Sequence, residues 1–190
     1  MSLNIINRNL YEVEKNIKLL KERKFLNLIN NTAKIISSAL RKGNKVLFCG
    51  NGGSAADAQH ISAELLGKYL KNRNPYAAID LTSNVAAITA ISNDISYSKI
   101  FDRQISALGG KNDILFAITT SGKSKNIIEA IKSAKRNGLK IILLTSKKAK
   151  KLQRKVNIYI PCPGSRVDRI QETQQIVGHM ICELIEENLS

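Results

Sequence analysis

The sequence predicts an α/β fold, a three-layer α/β/α sandwich around a five-stranded parallel sheet. Short apolar runs alternate with amphipathic stretches from residue 45 onward, and strands separated by helices form parallel βαβ units. The 190 residues, 43% of them hydrophobic, suffice for one core without disulfides. Because no repeat, low-complexity tract or Pro/Gly-rich linker interrupts this order, residues 1–190 are interpreted as a single domain.

Two amphipathic helices are predicted before the first strand, within residues 3–42. Apolar side chains recur there at every third and fourth position, as in Leu10, Val13, Ile17 and Leu20, and then in Leu26, Ile29, Ala33, Ile36 and Leu40. We interpret residues 1–42 as an N-terminal helical extension packed on the domain. Gly43-Asn44 ends the second helix, and residues 45–49 follow as a short buried strand.

The later elements follow in the order that a parallel sheet requires. The patterns predict helices over 54–70, 84–91, 95–107, 124–137 and 166–188, and strands over 76–81, 113–119, 139–145 and 156–161. Ligands of such sheets bind at the carboxyl ends of the strands. We therefore expect the chemistry in the loops after Cys49, Leu81, Thr119 and Pro161.

Composition narrows the class of protein. The net charge is +15, and residues 132–155 contain ten Lys or Arg and no acid. Few aromatic residues are interleaved for base stacking, so we interpret this run as a solvated basic face and do not favour a nucleic-acid partner. No apolar run approaches the roughly 18 residues that a membrane span needs, which predicts a soluble protein without a membrane partner.

The three cysteines fit a reducing compartment. Cys49, Cys162 and Cys182 are odd in number, far apart and without C-x-x-C spacing, so neither a disulfide framework nor a thiolate zinc site is indicated. We interpret them as ordinary thiols of a cytoplasmic protein.

Two strand-to-helix loops have the composition of ligand-binding loops. Gly50-Asn51-Gly52-Gly53-Ser54 lets a ligand approach the backbone and the N–H groups of the following helix, although such a turn is equally common as a purely structural feature. The second loop, residues 119–124, offers four hydroxyls, from Thr119, Thr120, Ser121 and Ser124. Four hydroxyls before a helix N-terminus favour phosphate binding over N-capping by Ser121 or Ser124, which explains only one of them.

The sequence contains only two histidines, His60 and His179. Glu64 follows His60 by four positions, which on a helix puts both side chains on one face about 6 Å apart at Cβ, close enough to bind one metal ion. By itself this pair fits a surface hydrogen bond better than a metal site.

Together these motifs resemble a known family. Residues 49–60 (Cys-Gly-Asn-Gly-Gly-Ser-Ala-Ala-Asp-Ala-Gln-His), Glu64, Asn93-Asp94, residues 119–124, residues 168–172 and His179 are similar to the sedoheptulose-7-phosphate (phosphoheptose) isomerases of the sugar-isomerase (SIS) superfamily. The likeness spans nearly the whole chain in order. Thr119 and Lys123 depart from the usual Ser-Thr-Ser-Gly-Asn-Ser form of the second loop, but Thr keeps the hydroxyl and Lys adds positive charge toward a phosphate.

The resemblance implies a zinc-dependent homotetramer that converts D-sedoheptulose 7-phosphate to D-glycero-D-manno-heptose 7-phosphate, the first step toward the heptoses of bacterial surface polysaccharides such as lipopolysaccharide or capsule. It implies one zinc per subunit, with the ligands His60, Glu64, Gln171 and His179. It further implies that the sugar contacts Gly52, Gly53, Ser54, Asn93 and Asp94, along with Glu64 and Gln171, and that Thr119, Thr120, Ser121 and Ser124 hold the phosphate.

The chemistry and the helical geometry add two expectations. An aldose–ketose exchange needs two acid/base groups, and Glu64 is the candidate for carbon deprotonation, with His179 as the second group. If Gln171 and His179 share a continuous helix, their Cα atoms lie about 12 Å apart along its axis. Bonds of about 2 Å cannot join both to one metal, so we predict a site shared between subunits.

Two rival functions remain at this stage. The first is a non-catalytic binding protein of the same fold, like the relative that associates with the bacterial replication initiator and lacks the acid and histidine corresponding to Glu64 and His179. The second is another sugar-phosphate isomerase or sugar-phosphate-sensing domain, which commonly lacks this set of His, Glu, Gln and His.

Overall fold

The structure, a computed structural model, describes residues 2–190. Its helices are α1 (Ser2–Leu20), α2 (Arg23–Arg41), α3 (Gly53–Leu66), α4 (Val85–Asp94), α5 (Ile100–Leu108), α6 (Lys125–Arg136) and α7 (Val167–Leu189). The strands are β1 (Val46–Cys49), β2 (Ala78–Asp80), β3 (Ile114–Ile118), β4 (Lys140–Ser146) and β5 (Ile158–Cys162). Two 3₁₀ segments, Tyr97–Lys99 and Lys147–Lys155, complete the order.

All five strands are parallel, in the order β2-β1-β3-β4-β5. The chain leaves β1 toward one edge to form β2 and then returns past β1 to form β3. The two loops that follow β1 and β3 therefore diverge from neighbouring strands, and this switch in direction opens the crevice in which such sheets bind ligands.

Helices cover both faces of the sheet, because each strand is apolar on both sides. Phe48 and Phe116 pack on the face covered by α2, α3 and α7, whereas Leu47 and Leu115 pack on the face covered by α5 and α6. The predicted three-layer sandwich with five parallel strands is confirmed.

The N-terminal helices differ in their burial. Helix α2 places Phe25, Ile29 and Ile36 in the first core and packs along α7. Helix α1 instead leaves a row of apolar side chains exposed, namely Leu3, Ile5, Ile6, Leu10 and Tyr11. Exposed apolar rows of this size are typical of surfaces that another protein covers.

Helix α3 is shorter than the sequence pattern predicts. It ends at Leu66 and not at residue 70, because the guanidinium of Arg73 folds back and hydrogen-bonds the carbonyls of Glu64 and Leu65. The Arg73 side chain, nine residues after Glu64, thus replaces the hydrogen bonds that the next helical turn would make. The apolar periodicity of the sequence does not predict this contact.

The other boundaries shift by a few residues. β2 keeps only three of the six predicted residues because it is the edge strand and pairs on one side alone. The predicted helices over 84–91 and 95–107 become α4 and α5, joined by a 3₁₀ turn. Residues 147–155, to which the patterns assign no element, form a 3₁₀ segment.

The charged run and the cysteines take the environments expected of them. The basic side chains of residues 147–155 are exposed, as a solvated face requires. Cys49, Cys162 and Cys182 are free and buried, and burial raises the pKa of each thiol, that of Cys182 to about 12. Among residues 2–190, no helix has an apolar stretch long enough to cross a membrane.

Replacing Ile36 by Ala tests whether α2 belongs to the core. Ile36 is 1% exposed, and truncating such a side chain leaves a cavity that lowers the free energy of unfolding by about 2–5 kcal/mol. Urea denaturation measures this loss. Leu26→Ala, at a 48% exposed position of the same helix, is the matched control. An equal effect of both substitutions would contradict the placement of α2.

Candidate active site

The two predicted loops flank the switch point of the sheet. The glycine-rich loop follows β1 and leads into α3, and the hydroxyl-rich loop follows β3 and leads into α6. Gly52 has a φ of +56°, in the region that favours glycine, and its carbonyl accepts the N–H groups of Ala55 and Ala56 in the first turn of α3. Ser54 lies buried one residue inside the helix. Both helices thus begin at the crevice with N–H groups directed toward it.

Two asparagines join these loops, and the sequence patterns did not single them out. The amides of Asn51 and Asn126 exchange hydrogen bonds of 2.9 and 2.7 Å, and the Tyr97 hydroxyl donates to Asn51 Oδ1 at 2.9 Å. A cavity of about 620 Å³ adjoins them, lined by Asn51, Ser96, Tyr97, Ser98, Ser124, Lys125 and Asn126. Only the position of Asn51 within the glycine-rich loop could have pointed to it.

The hydroxyl-rich loop leaves a side chain available for a ligand. Thr119 Oγ1 accepts the Gly122 N–H at 3.3 Å and Ser121 Oγ accepts the Lys123 N–H at 3.2 Å, so both brace the turn. Ser124 stands at the N-cap of α6, but its side chain makes no capping bond. Capping therefore does not account for the Ser124 hydroxyl, which lines the cavity beside the loop.

Asn93 and Asp94 lie in the last turn of α4. Both are exposed, and the Asn93 amide donates to Asp94 Oδ1 at 2.9 Å. They stay predicted sugar contacts.

The two histidines and Glu64 converge, although they come from distant parts of the chain. His60 Nε2 lies 2.9 Å from His179 Nε2 and 3.1 Å from Glu64 Oε1. One ligand atom from each residue lies within 4.8 Å of the others. Helices α3 and α7 create this cluster by packing side by side.

The cluster has the donors and the spacing of a metal site. Two imidazole nitrogens and a carboxylate oxygen are common zinc ligands, and bonds of about 2 Å in a tetrahedron separate such atoms by about 3.3 Å. The observed separations of 2.9 and 3.1 Å are close to this value. The three residues could therefore hold one divalent ion.

Gln171 is not part of this cluster in the same chain. It lies eight residues before His179 on the uninterrupted helix α7, and a side chain built at Gly53 would collide with its amide. Gln171 therefore lies beside the start of α3, about two turns from His60. The structure brings together three of the four predicted ligands within one chain, and the prediction of a shared site now concerns Gln171 alone.

Comparison with known proteins assigns the family. Residues 12–146 match the SIS domain family. A phosphoheptose isomerase of Thermodesulfovibrio yellowstonii is 45% identical over 182 residues, which cover 96% of this chain and 90% of that protein. The chain belongs to the phosphoheptose isomerase family.

Solved structures agree with this membership in the phosphoheptose isomerase family. That of a phosphoheptose isomerase from Francisella tularensis superimposes with a TM-score of 0.93 at 37% identity, covering 98% of this chain and 99% of that one. Another, from Neisseria gonorrhoeae, gives 0.90 at 32% identity and covers 98% of this chain and 100% of that one. The predicted family and the prediction of an enzyme are confirmed.

A buried acid lies between the glycine-rich loop and the candidate metal donors of this phosphoheptose isomerase family member. Asp57 faces inward from α3, and within the described part of the chain its Oδ2 has no hydrogen-bond partner. Burial raises the pKa of Asp57 from 3.8 to about 6, and the nearby His60 opposes the shift.

Asp57→Asn is therefore expected to stabilise the protein above pH 6. The folded state binds the Asp57 proton more tightly than the unfolded state, so this group lowers stability as the pH rises from about 4 through about 6. The melting temperature of the variant should exceed that of the wild type at about pH 7.5, with no difference at about pH 4. Melting curves recorded with a chelator present measure this, and a pH-independent difference would argue against a raised pKa.

Proposed function

We propose that the protein converts D-sedoheptulose 7-phosphate to D-glycero-D-manno-heptose 7-phosphate. This aldose–ketose isomerisation would be the first step of heptose biosynthesis for bacterial surface polysaccharides. The observation that carries the proposal is the convergence of Glu64 with His60 and His179 in a chain whose relatives are phosphoheptose isomerases.

The substrate would bind across the switch point of the sheet. The phosphate would bind at the hydroxyl-rich loop, where the N-terminus of α6 adds a favourable dipole. Its predicted contacts are Thr119, Thr120, Ser121 and Ser124. The sugar would extend toward Gly52, Gly53, Ser54, Asn93 and Asp94, and toward Glu64 and Gln171.

Glu64 would act as the base. The reaction moves a proton between C1 and C2 and exchanges protons between the two oxygens, passing through an enediol-like species. The Oε1 atom of Glu64 faces His60, which leaves Oε2 to take the carbon-bound proton. His179 would supply the second acid/base group.

The metal is proposed to be zinc, one ion per subunit. His60, Glu64 and His179 would hold it from one chain, with Gln171 as the fourth ligand. Bound there, Zn²⁺ would polarise the substrate carbonyl and stabilise the negative charge that develops on its oxygen. The imidazole nitrogens and the carboxylate oxygen of this cluster suit zinc.

The active form is proposed to be a homotetramer with shared active sites. The exposed apolar row of α1 offers a surface for a second copy. The His60 side chain is 43% exposed, so the cluster is open to Gln171 of a neighbouring subunit. We place the enzyme in the cytoplasm, where a reducing environment suits three free thiols.

Glu64→Gln should abolish measurable turnover and leave sugar-phosphate binding nearly unchanged. Loss of a general base lowers kcat by about 10²- to 10⁴-fold, whereas the amide keeps the shape and polarity of the side chain. NMR of zinc-loaded protein incubated with sedoheptulose 7-phosphate follows turnover, and calorimetry measures binding. Glu187→Gln, an exposed change on α7, is the control. Absence of conversion by the wild type would refute the function, and equal loss of binding and turnover would refute the base role.

Co-expression of two inactive variants tests the shared site. If Gln171 and Glu64 of one active site come from different subunits, random mixing of Gln171→Ala and Glu64→Gln chains leaves about a quarter of the sites intact. Activity should then return in the mixed oligomer. If both residues act from the same chain, every site carries one defect and the mixture stays inactive.

A further inference from the structure

A buried ion pair, Arg73–Glu186, lies about two turns of α7 beyond His179 of the candidate metal site. Glu186 of α7 is 1% exposed, and its carboxylate accepts the backbone N–H groups of Tyr69, Leu70 and Lys71 at 2.9–3.1 Å. Arg73 Nε adds a fourth bond at 2.7 Å. Each carboxylate oxygen thus receives two hydrogen bonds, which satisfies a charge that would be costly to bury alone.

The guanidinium of Arg73 binds the other side of the same segment. It donates to the carbonyls of Glu64, Leu65, Gly67 and Asn74 at 2.7–3.1 Å. Those of Glu64 and Leu65 lie at the C-terminus of α3, where carbonyls lack a partner within the helix and a positive charge is favoured. The Arg73–Glu186 pair therefore fixes residues 67–74 between α3, which carries Glu64, and α7, which carries His179.

Residues 67–74 place an aromatic ring, that of Tyr69, against the candidate metal ligand His179. Tyr69, whose N–H is held by Glu186, stacks on His179 with ring centroids 5.7 Å apart and planes 8° from parallel. The ring of His60 approaches His179 edge-on at 4.9 Å. Two rings therefore adjoin the His179 imidazole, and Tyr69 is the one that would not itself bind metal.

An imidazole can rotate about its bond to the helix, so a metal-binding histidine needs a neighbour that holds its plane. Groups that orient metal ligands in this way typically change metal affinity or activity 10- to 100-fold when removed. Buried ion pairs add little net stability compared with apolar packing. The value of the Arg73–Glu186 pair to the protein is therefore better explained by the geometry that it imposes on Tyr69.

We propose that Tyr69 is a positioning residue that holds His179 with its Nε2 atom directed at His60 and Glu64, and that Arg73 and Glu186 fix Tyr69 in place. The proposal rests on the proposed function in one respect: the cluster is taken as the zinc site. It assigns Tyr69, Arg73 and Glu186 no contact with the substrate.

The test measures Zn²⁺ affinity without any sugar phosphate. Apo-protein is titrated against a chromophoric chelator, and Co²⁺ absorption reports the ligand geometry. Tyr69→Ala removes the ring and Tyr69→Phe keeps it. Leu70→Ala is the matched control, since Leu70 shares the Glu186 hydrogen bonds but its side chain is 64% exposed. Melting of each apo-protein shows whether the fold is intact.

Tyr69→Ala is expected to weaken Zn²⁺ binding about 10- to 100-fold and to alter the Co²⁺ spectrum, with the apo-protein melting close to the wild type. Tyr69→Phe and Leu70→Ala should bind Zn²⁺ like the wild type. Unchanged affinity in Tyr69→Ala would overturn the proposal. Equal weakening in Tyr69→Phe would also overturn it, because the stacked ring would then not be the cause.

A second arm tests the ion pair. Glu186→Gln turns an amide N–H₂ group toward N–H donors and should weaken Zn²⁺ binding as Tyr69→Ala does, while Glu187→Gln, its exposed neighbour, should not. If Glu186→Gln does not fold, the Zn²⁺ affinities of Tyr69→Ala and Tyr69→Phe alone decide whether the proposal holds. Zinc-binding wild type that fails to isomerise the sugar phosphate would end the proposed function and leave this inference standing. Full activity with unchanged Zn²⁺ affinity in Tyr69→Ala would overturn this inference and leave the proposed function standing.

Discussion

The side-by-side packing of α3 on α7 is the constraint on which the candidate site depends. The two helices run parallel, and they approach closely because glycine occupies the contact points: a side chain at Gly178 would collide with Ile61, and one at Gly53 with Gln171. This contact sets the register that brings His60 beside His179. A shift of one residue along either helix would rotate one histidine by about 100° away from the other helix, so His60 and His179 would no longer be in contact.

The same helix connects the two halves of the candidate site. Helix α3 begins at the glycine-rich loop on the switch point of the sheet, and it carries His60 about 10 Å further along. The paired amides of Asn51 and Asn126 fix that loop to the start of α6. The positions of the hydroxyls proposed to bind phosphate, of the glycine-rich loop and of the candidate metal donors are therefore set by one sheet and by the helices that leave its carboxyl edge.

The arrangement of charges explains how so basic a chain folds. Burial by itself would raise the pKa of Asp113 and Glu186, but hydrogen bonds from Lys45 to Asp113, and from Arg73 and backbone amides to Glu186, lower both. Asp113 and Glu186, unlike the buried Asp57, thus take basic partners, and much of the remaining positive charge lies on exposed segments such as residues 147–155. Salt screens charge at such surfaces, so it has little influence on the fold.

The sequence by itself determined the layers, the parallel sheet, the two loops proposed to bind the substrate and the placement of His60 and Glu64 on one helix face, because these follow from local periodicity and from spacing within one helix. Only the tertiary structure decided the end of α3, the stacking of Tyr69 on His179 and the convergence of His179 with His60 and Glu64. The last two arise from contacts between residues more than 100 positions apart, and the first depends on Arg73, which the equally distant Glu186 holds in place. Such contacts leave no local pattern, since their energy exists only once the helices have packed.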